Sequence, residues 1–187
     1  MKTEPVKFDF VVAPAWKRIV AFAWDYLVIS LYIVILASIS TGLIVFVGGG
    51  LFPDNPVLWD LISFVTLILP IICYFALQES SIHQATWGKR QAGLIVVSQS
   101  GESLTKGQAF LRSLVKFLPW QIAHTSLFQI EGWPLDVQEV SPASTAGLTL
   151  VWILVGIYLA AMFFSKSRRT PYDWSANSIV VSNVDQF

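Results

Sequence analysis

Long apolar runs separated by short polar stretches dominate the sequence, and four of these runs predict helices. They cover about residues 18–47, 57–77, 108–130 and 144–164. A membrane-spanning helix needs about 20 predominantly apolar residues, and the first, second and fourth runs meet that requirement. None of the runs alternates between apolar and polar residues with a period of two, so helices rather than strands are expected.

The third run, residues 108–130, is less apolar than the others. It carries Arg112 and Lys116 in its first half and Pro119 near its middle. The two basic residues are spaced i, i+4 and therefore share a helix face. The run fits either an amphipathic helix on the membrane surface or a crossing helix whose basic side chains reach one interface.

The distribution of basic residues favours a crossing by the third run. Lysines and arginines precede the first run, occur in the loop 78–107 and follow the fourth run, whereas the stretches 48–56 and 131–140 contain none. Cytoplasmic loops carry an excess of Lys and Arg. Four crossings with both termini in the cytoplasm are therefore favoured. Three crossings would place outside the cell the basic residues that follow the fourth run.

The predicted fold is thus all-α transmembrane, a small helical bundle with short cytoplasmic β segments. A cytoplasmic N-terminal segment (1–16) precedes a transmembrane domain (17–165), and a cytoplasmic C-terminal segment (166–187) completes it.

Two stretches outside the apolar runs resemble each other. Residues 95–98 and 179–182 are both a β-branched triplet followed by serine, and in this alignment Asp173 falls at the position of Lys89. Such runs favour strands, and a single strand is not stable alone. One hypothesis is a small sheet that pairs the two stretches; the other is chance similarity.

Composition supports a membrane protein and argues against several functions. The chain is 55% hydrophobic and 13% charged, against about 45–50% and 25% in ordinary soluble domains. A net charge of zero gives no basic field for nucleic acid. Cys73 is the single cysteine and there are two histidines, so neither a metal site nor a cofactor is expected. No nucleophile–base pair points to an enzyme.

An aspartate, Asp25, lies inside the first apolar run, about two helical turns after Arg18. A carboxylate within a bilayer costs about 2.5–3.5 kcal/mol, so it should face other helices, accept hydrogen bonds or be protonated. Arg112 and Lys116 are its candidate charge partners if the third run crosses beside the first. A packing contact is the favoured interpretation of Asp25, and an ion or proton pathway is the alternative.

A histidine in the third run is a further candidate for an ion pathway. His124 follows Pro119, and histidine titrates near neutral pH, as a proton relay must. An interhelical hydrogen bond is its favoured role.

Four stretches, in order along the chain, resemble the RDD family of integral membrane proteins. They are RIVAFAWD, QATWGKRQAGLIVV, GESLTKGQAFLRSLVKFLP and RRTPYDWSANSIVV, and the resemblance covers about residues 13–181. The family is named for one arginine and two aspartates, to which Arg18, Asp25 and Asp173 correspond. The second aspartate is often preceded by histidine in such proteins, where this chain has Tyr172.

The resemblance implies a multi-pass protein of the cell membrane whose molecular function is mostly unassigned. Transport of an ion or small solute is suggested for the family, with sodium–proton exchange as its sharpest version. A membrane scaffold, assembly or accessory protein that acts through its cytoplasmic segments is the alternative. Besides the lipid bilayer, a homo-oligomer or a membrane-protein partner is expected, since four helices make a thin bundle for a transport path.

The basic pair Lys89 and Arg90 lies in the segment that resembles the family. For Asp173 we expect a salt bridge to one of these two residues, which would hold the cytoplasmic pieces together. A phosphate-binding role beside Gly88, for a lipid headgroup or another ligand, is the functional alternative for the pair.

Overall fold

The computed structural model describes residues 11–47, 55–133, 136–137 and 139–183. Lys2, Lys7 and most of the stretch 48–56 lie outside the described residues. In chain order the elements are α1 (Ala15–Val47), α2 (Pro56–Ser63), a π-helical segment (Phe64–Ile68), α3 (Leu69–Glu79), α4 (Trp87–Gln91), β1 (Leu94–Ser98), α5 (Lys106–Phe128), α6 (Pro142–Phe164), α7 (Pro171–Ser175) and β2 (Ser178–Ser182). The four predicted long helices are confirmed, with ends that differ from the predicted ones by a few residues.

Three of the described helices are long and apolar enough to cross a membrane. They are α1, the continuous helix Pro56–Glu79 formed by α2, the π-helical segment and α3, and α6. Only 6% of the most apolar window of α1, and of α6, is buried inside the protein. Apolar surface on this scale is stable only against lipid or another apolar partner, which agrees with a membrane-embedded chain.

Helix α5 runs antiparallel to the helix Pro56–Glu79 along its whole length. Arg112, near the start of α5, contacts Glu79 at the end of α3. In the middle, the rings of Phe117 and Phe75 pack with centroids 5.0 Å apart. Near the other end, the Thr125 hydroxyl donates a hydrogen bond to Asp60 of α2. Although Pro119 lies inside α5, the helix continues through it.

The two β segments pair, as one of the two sequence hypotheses proposed. Strands β1 and β2 are antiparallel, with Leu94 opposite Ser182 and Ser98 opposite Ser178. The structure therefore favours the sheet hypothesis over chance similarity for these two stretches.

The two stretches also resemble each other in the short helix and the turn that precede each strand. Each strand follows a five-residue helix, α4 or α7, whose N-cap is a threonine, Thr86 or Thr170. The residue before each strand has a left-handed backbone, with φ of 65° at Gly93 and 50° at Asn177. Residues 86–98 and 170–182 thus form two copies of one helix–strand unit, and we call them together the sheet module.

The sheet module packs against the first turns of α1 and α5 through a small apolar core. Its buried members come from α1 and the residues before it, α3, α5, both strands and the loop after β1: Ala13, Ala21, Ala76, Leu94, Val96, Leu104, Ala109 and Val180. A second apolar cluster joins α1, the helix Pro56–Glu79 and α5 further along the bundle.

A buried charge cluster and the cavity beside it as the candidate functional site

Five charged side chains meet where the sheet module joins the long helices. We call them the charge cluster: Arg18, Glu79, Lys89, Arg112 and Asp173. Each has at most 9% of its surface exposed. Charged residues are almost never buried to this degree unless they are paired, and every member of the cluster has an ion-pair partner in it.

Asp173 is the centre of the cluster and links three elements. Its carboxylate accepts hydrogen bonds from Arg18 of α1 at 2.7 Å and from Arg112 of α5 at 2.7 Å. It also accepts from the Thr170 backbone at 2.9 Å, which caps α7. This single side chain therefore joins the C-terminal unit of the sheet module to two long helices.

The surroundings of Asp173 keep it ionised. Burial alone would raise the pKa of this carboxyl, but the two nearby guanidinium groups, Arg112 first and then Arg18, outweigh that effect together with the hydrogen bonds from Thr170. The net result is a pKa well below the ordinary range for aspartate. Its charge, and the ion pairs that depend on it, are therefore present throughout the neutral pH range.

Glu79 forms the second link of the cluster, and the sequence interpretation missed it. Its carboxylate accepts a hydrogen bond from Lys89 of α4 at 2.8 Å and another from Arg112. Arg112 thus bridges the two carboxylates. The sequence signal for Glu79 was its position at the end of an apolar run, next to a polar loop. Acidic residues at such positions usually lie in water, so the signal did not indicate a buried residue.

Asp25 is hydrogen-bonded to neutral polar groups of α3 and α4. Its carboxylate accepts hydrogen bonds from the Thr86 hydroxyl at 2.6 Å, from the Gly88 N–H at 2.8 Å and from the Tyr74 hydroxyl at 3.1 Å. The predicted cations Arg112 and Lys116 form no ion pair with it among the described residues, although Lys116 attracts it from a longer distance. The reason is that α4 folds back against α1 and presents its capping hydroxyl and N–H to the carboxylate.

The close approach of α4 to α1 depends on a glycine. A Cβ atom at Gly88 would lie 2.1 Å from the carbonyl oxygen of Ala21 and 2.7 Å from atoms of Asp25. Only a residue without a side chain fits there. Asp25 therefore serves, by its contacts, as the point at which the sheet module is fastened to α1.

The expected salt bridge of Asp173 is also corrected. Asp173 pairs with Arg18 and Arg112, not with Lys89 or Arg90, since α7 approaches α1 and α5 while Lys89 reaches the end of α3. Arg90 is exposed, so the basic pair is divided between a buried and a solvated position.

The hydrogen bond of His124 that the described residues show lies within its own helix, not between helices. Its Nδ1 lies 2.8 Å from the Trp120 carbonyl oxygen of its own helix. It is twelve residues further along α5 than Arg112, so it does not belong to the charge cluster.

A cavity of about 410 Å³ adjoins the charge cluster, a volume within the range of small-molecule sites. It is partly open and lies between α1, α5 and α6, with α4 and α7 at its polar end. Its lining includes four cations and no carboxylate: Arg18, Lys89, Arg112 and Lys116. The rest of its wall is mainly apolar and aromatic.

Lys116 differs from the other cations of the cavity. Within the described part of the chain it forms no ion pair. Instead its Nζ lies 3.6 Å from the ring centroid of Phe75 and 4.8 Å from that of Phe22, and the carboxylates of Glu79 and Asp25 attract it only from beyond ion-pair distance. Aromatic faces stabilise an ammonium group only in part. The cavity is therefore suited chemically to an anion.

Three apolar helices of spanning length indicate a multi-pass membrane protein. A family model described as RDD family matches residues 12–177, which is most of the chain. The chain therefore belongs to the RDD family, whose members are membrane proteins. No significant match was found among curated proteins or among solved structures. The arginine and both aspartates that correspond to the family's name, Arg18, Asp25 and Asp173, are all buried and hydrogen-bonded.

Proposed function

We propose that this RDD family protein transports a small anionic solute and that the cavity beside the charge cluster is where the solute binds. The observation that carries the proposal is Lys116, a cation without an ion-pair partner among the described residues, in a cavity lined by three further cations. An ammonium group in apolar surroundings is costly unless it is paired, and a bound anion supplies the missing partner.

The proposed arrangement in the membrane has four crossings and both termini in the cytoplasm of the cell. The antiparallel course of α5 along the helix Pro56–Glu79 supports the fourth crossing, since a helix packed along a spanning helix for its whole length reaches both sides too. The excess of Lys and Arg before α1, in the loop 78–107 and after α6 supports the orientation.

Labelling of single cysteines tests this arrangement. In a Cys73→Ser background, Ser100→Cys and Trp133→Cys are compared for reaction with an impermeant maleimide in sealed vesicles of known orientation. We expect the Ser100→Cys protein to react from the cytoplasmic side only and the Trp133→Cys protein from the outer side only. Reaction of both from the same side would mean that α5 does not cross.

Sodium–proton exchange, the sharpest version suggested by the resemblance, has less support from the contacts. Such a mechanism needs a carboxylate that can exchange its protein partners for an ion. Asp25 already accepts three hydrogen bonds, and Glu79 and Asp173 are each bonded to two cations. The cations that line the cavity would attract an anion and repel a sodium ion.

Flux into liposomes tests the transport proposal. We expect wild-type protein to take up at least one of two labelled anions, inorganic phosphate or hexyl phosphate, and Lys116→Gln to reduce the initial rate by about tenfold or more, because the unpaired cation is removed. Lys106→Gln is the matched control, since this exposed lysine of the same helix lies outside the cavity. Proton flux driven by sodium or potassium is measured in the same vesicles, together with Asp25→Asn.

Either of two results would contradict the transport proposal. One is equal uptake by wild type and Lys116→Gln. The other is sodium-driven proton flux that a folded Asp25→Asn protein loses, which would place an ion pathway at Asp25 instead.

A scaffold or accessory role is the second candidate, and exposed apolar residues near the sheet module favour it. Ile82 is 94% exposed and Trp174 is 51% exposed. A partner that copurifies with wild type and with Lys116→Gln, but not with Trp174→Ala, would support this role.

We also propose that the protein forms a homo-oligomer. Crosslinking in native membranes that gave only monomer would contradict this proposal.

A further inference from the structure

The lining of the cavity combines two kinds of chemistry, cationic and apolar. At the polar end, four cations face the interior, while the carboxylates of Glu79 and Asp173 lie behind them. Four positive charges against two negative ones leave an excess of positive charge, even when nearby Asp25 is counted. The Tyr172 hydroxyl, 3.4 Å from a nitrogen of Arg18, adds a donor at the same end.

The rest of the cavity lining is mainly apolar. It includes Ile19 of α1, which directly follows Arg18, together with Val155, Leu159 and Met162 of α6. Ile19 and Leu159 are each 44% exposed, as expected of side chains in contact with lipid. A fully hydrated solute would leave this apolar wall without a partner, whereas an acyl chain would cover it.

From this polarity we propose that the cavity binds an anionic amphiphile, a molecule with a phosphate or carboxylate head on an apolar tail. The head lies at the polar end of the cavity, where Lys116, Arg18 and Tyr172 line the wall, and accepts charge-assisted hydrogen bonds there. The tail lies along Ile19 and Leu159 and enters sideways from the bilayer. The inference rests on the proposed function, because it names the substrate class of the same cavity.

General physical chemistry supports this choice of ligand. Basic pockets between membrane helices on the cytoplasmic side bind anionic lipid headgroups. The free-energy cost of removing the charged head from water is offset when an unpaired ammonium group is already in place to bind it. A bound head also gives Lys116 the partner that Glu79 gives to Lys89.

The test uses the purified full chain in micelles of a neutral detergent. Phosphatidylglycerol and phosphatidylcholine with the same acyl chains are offered in equal amounts, and bound lipid is counted by native mass spectrometry. We expect wild type and Lys106→Gln to prefer phosphatidylglycerol by about fivefold or more, and Lys116→Gln to lose the preference. Since Lys116 forms no ion pair in the described part of the chain, its replacement should leave the melting temperature unchanged or raise it.

A second variant addresses the apolar end. Leu159→Trp, at an exposed position on the cavity wall, should weaken binding of both lipids while Lys116 stays in place. If Leu159→Trp binds both lipids as wild type does, the tail does not lie in the cavity and the proposal fails.

Competition with phosphatidylglycerol distinguishes between the possible ligands, which are phospholipids, free fatty acids and inorganic phosphate. Displacement of phosphatidylglycerol by laurate would mean that free fatty acids share the site, and binding that laurate does not displace would mean a site for phospholipid; both agree with an amphiphile. Displacement by inorganic phosphate at equal concentration would overturn the amphiphile and leave the proposed anion transport standing. A wild type without headgroup preference, or a Lys116→Gln protein that keeps it, would also overturn the inference.

Discussion

The substitution Asp173→Asn is expected to lower the free energy of unfolding by about 3–5 kcal/mol, the usual cost of removing one partner of a buried ion pair. Asp173 is fully buried and accepts hydrogen bonds from Arg18 and Arg112. Asparagine would leave both guanidinium groups without that negative charge, and only Arg112 would keep a carboxylate partner, Glu79. It would also weaken the cap of α7 at Thr170.

Unfolding in mixed micelles with increasing sodium dodecyl sulfate measures this effect. The matched control is Glu102→Gln, which removes one negative charge from an exposed position of the loop after β1. We expect the control to change the free energy of unfolding by no more than about 0.5 kcal/mol. Equal losses from the two substitutions would mean that the effect comes from net charge and not from the cluster.

The second large effect is expected at Gly88. An added methyl group would meet the carbonyl oxygen of Ala21 at 2.1 Å, and this backbone atom cannot turn aside as a side chain can. Helix α4 must therefore move away from α1, which stretches the hydrogen bond from the Gly88 N–H to Asp25. We expect Gly88→Ala to destabilise the protein by about 1–3 kcal/mol.

Gly107→Ala is the control for Gly88. Gly107 is also a helical glycine, but a Cβ atom there would have nothing within 4 Å. Alanine has the higher helix propensity, so this change should be neutral or stabilise by up to about 1 kcal/mol. Similar unfolding curves for the two variants would contradict the close contact between α4 and α1.

The long helices could be predicted because their signal is local. Some 20 consecutive apolar residues predict a helix of spanning length without knowledge of the remaining chain. The pairing of β1 with β2 was also within reach, because the repeated triplet of β-branched residues is visible in the sequence. Helices α4 and α7 were not, since five residues are too few to display a helical period.

The contacts of the charged residues could not be predicted in the same way. Asp25 and its donors Thr86 and Gly88 are more than 60 residues apart, and their meeting depends on α4 folding back onto α1. From the sequence, a carboxylate in an apolar helix suggested a cationic partner, because the alternative donors lay in an apparently ordinary loop. Glu79 was overlooked for a similar reason: its burial follows from the position of Arg112 in a neighbouring helix.

The charge cluster joins the C-terminal unit of the sheet module to the long helices, and a double-mutant cycle between Arg18 and Asp173 measures this connection directly. Unfolding free energies are measured for wild type, Arg18→Gln, Asp173→Asn and the double variant. A direct bond at 2.7 Å between buried groups predicts a coupling energy of about 1–3 kcal/mol. Losses that add to within about 0.5 kcal/mol would show that the two residues do not interact, and would contradict this arrangement of the cluster.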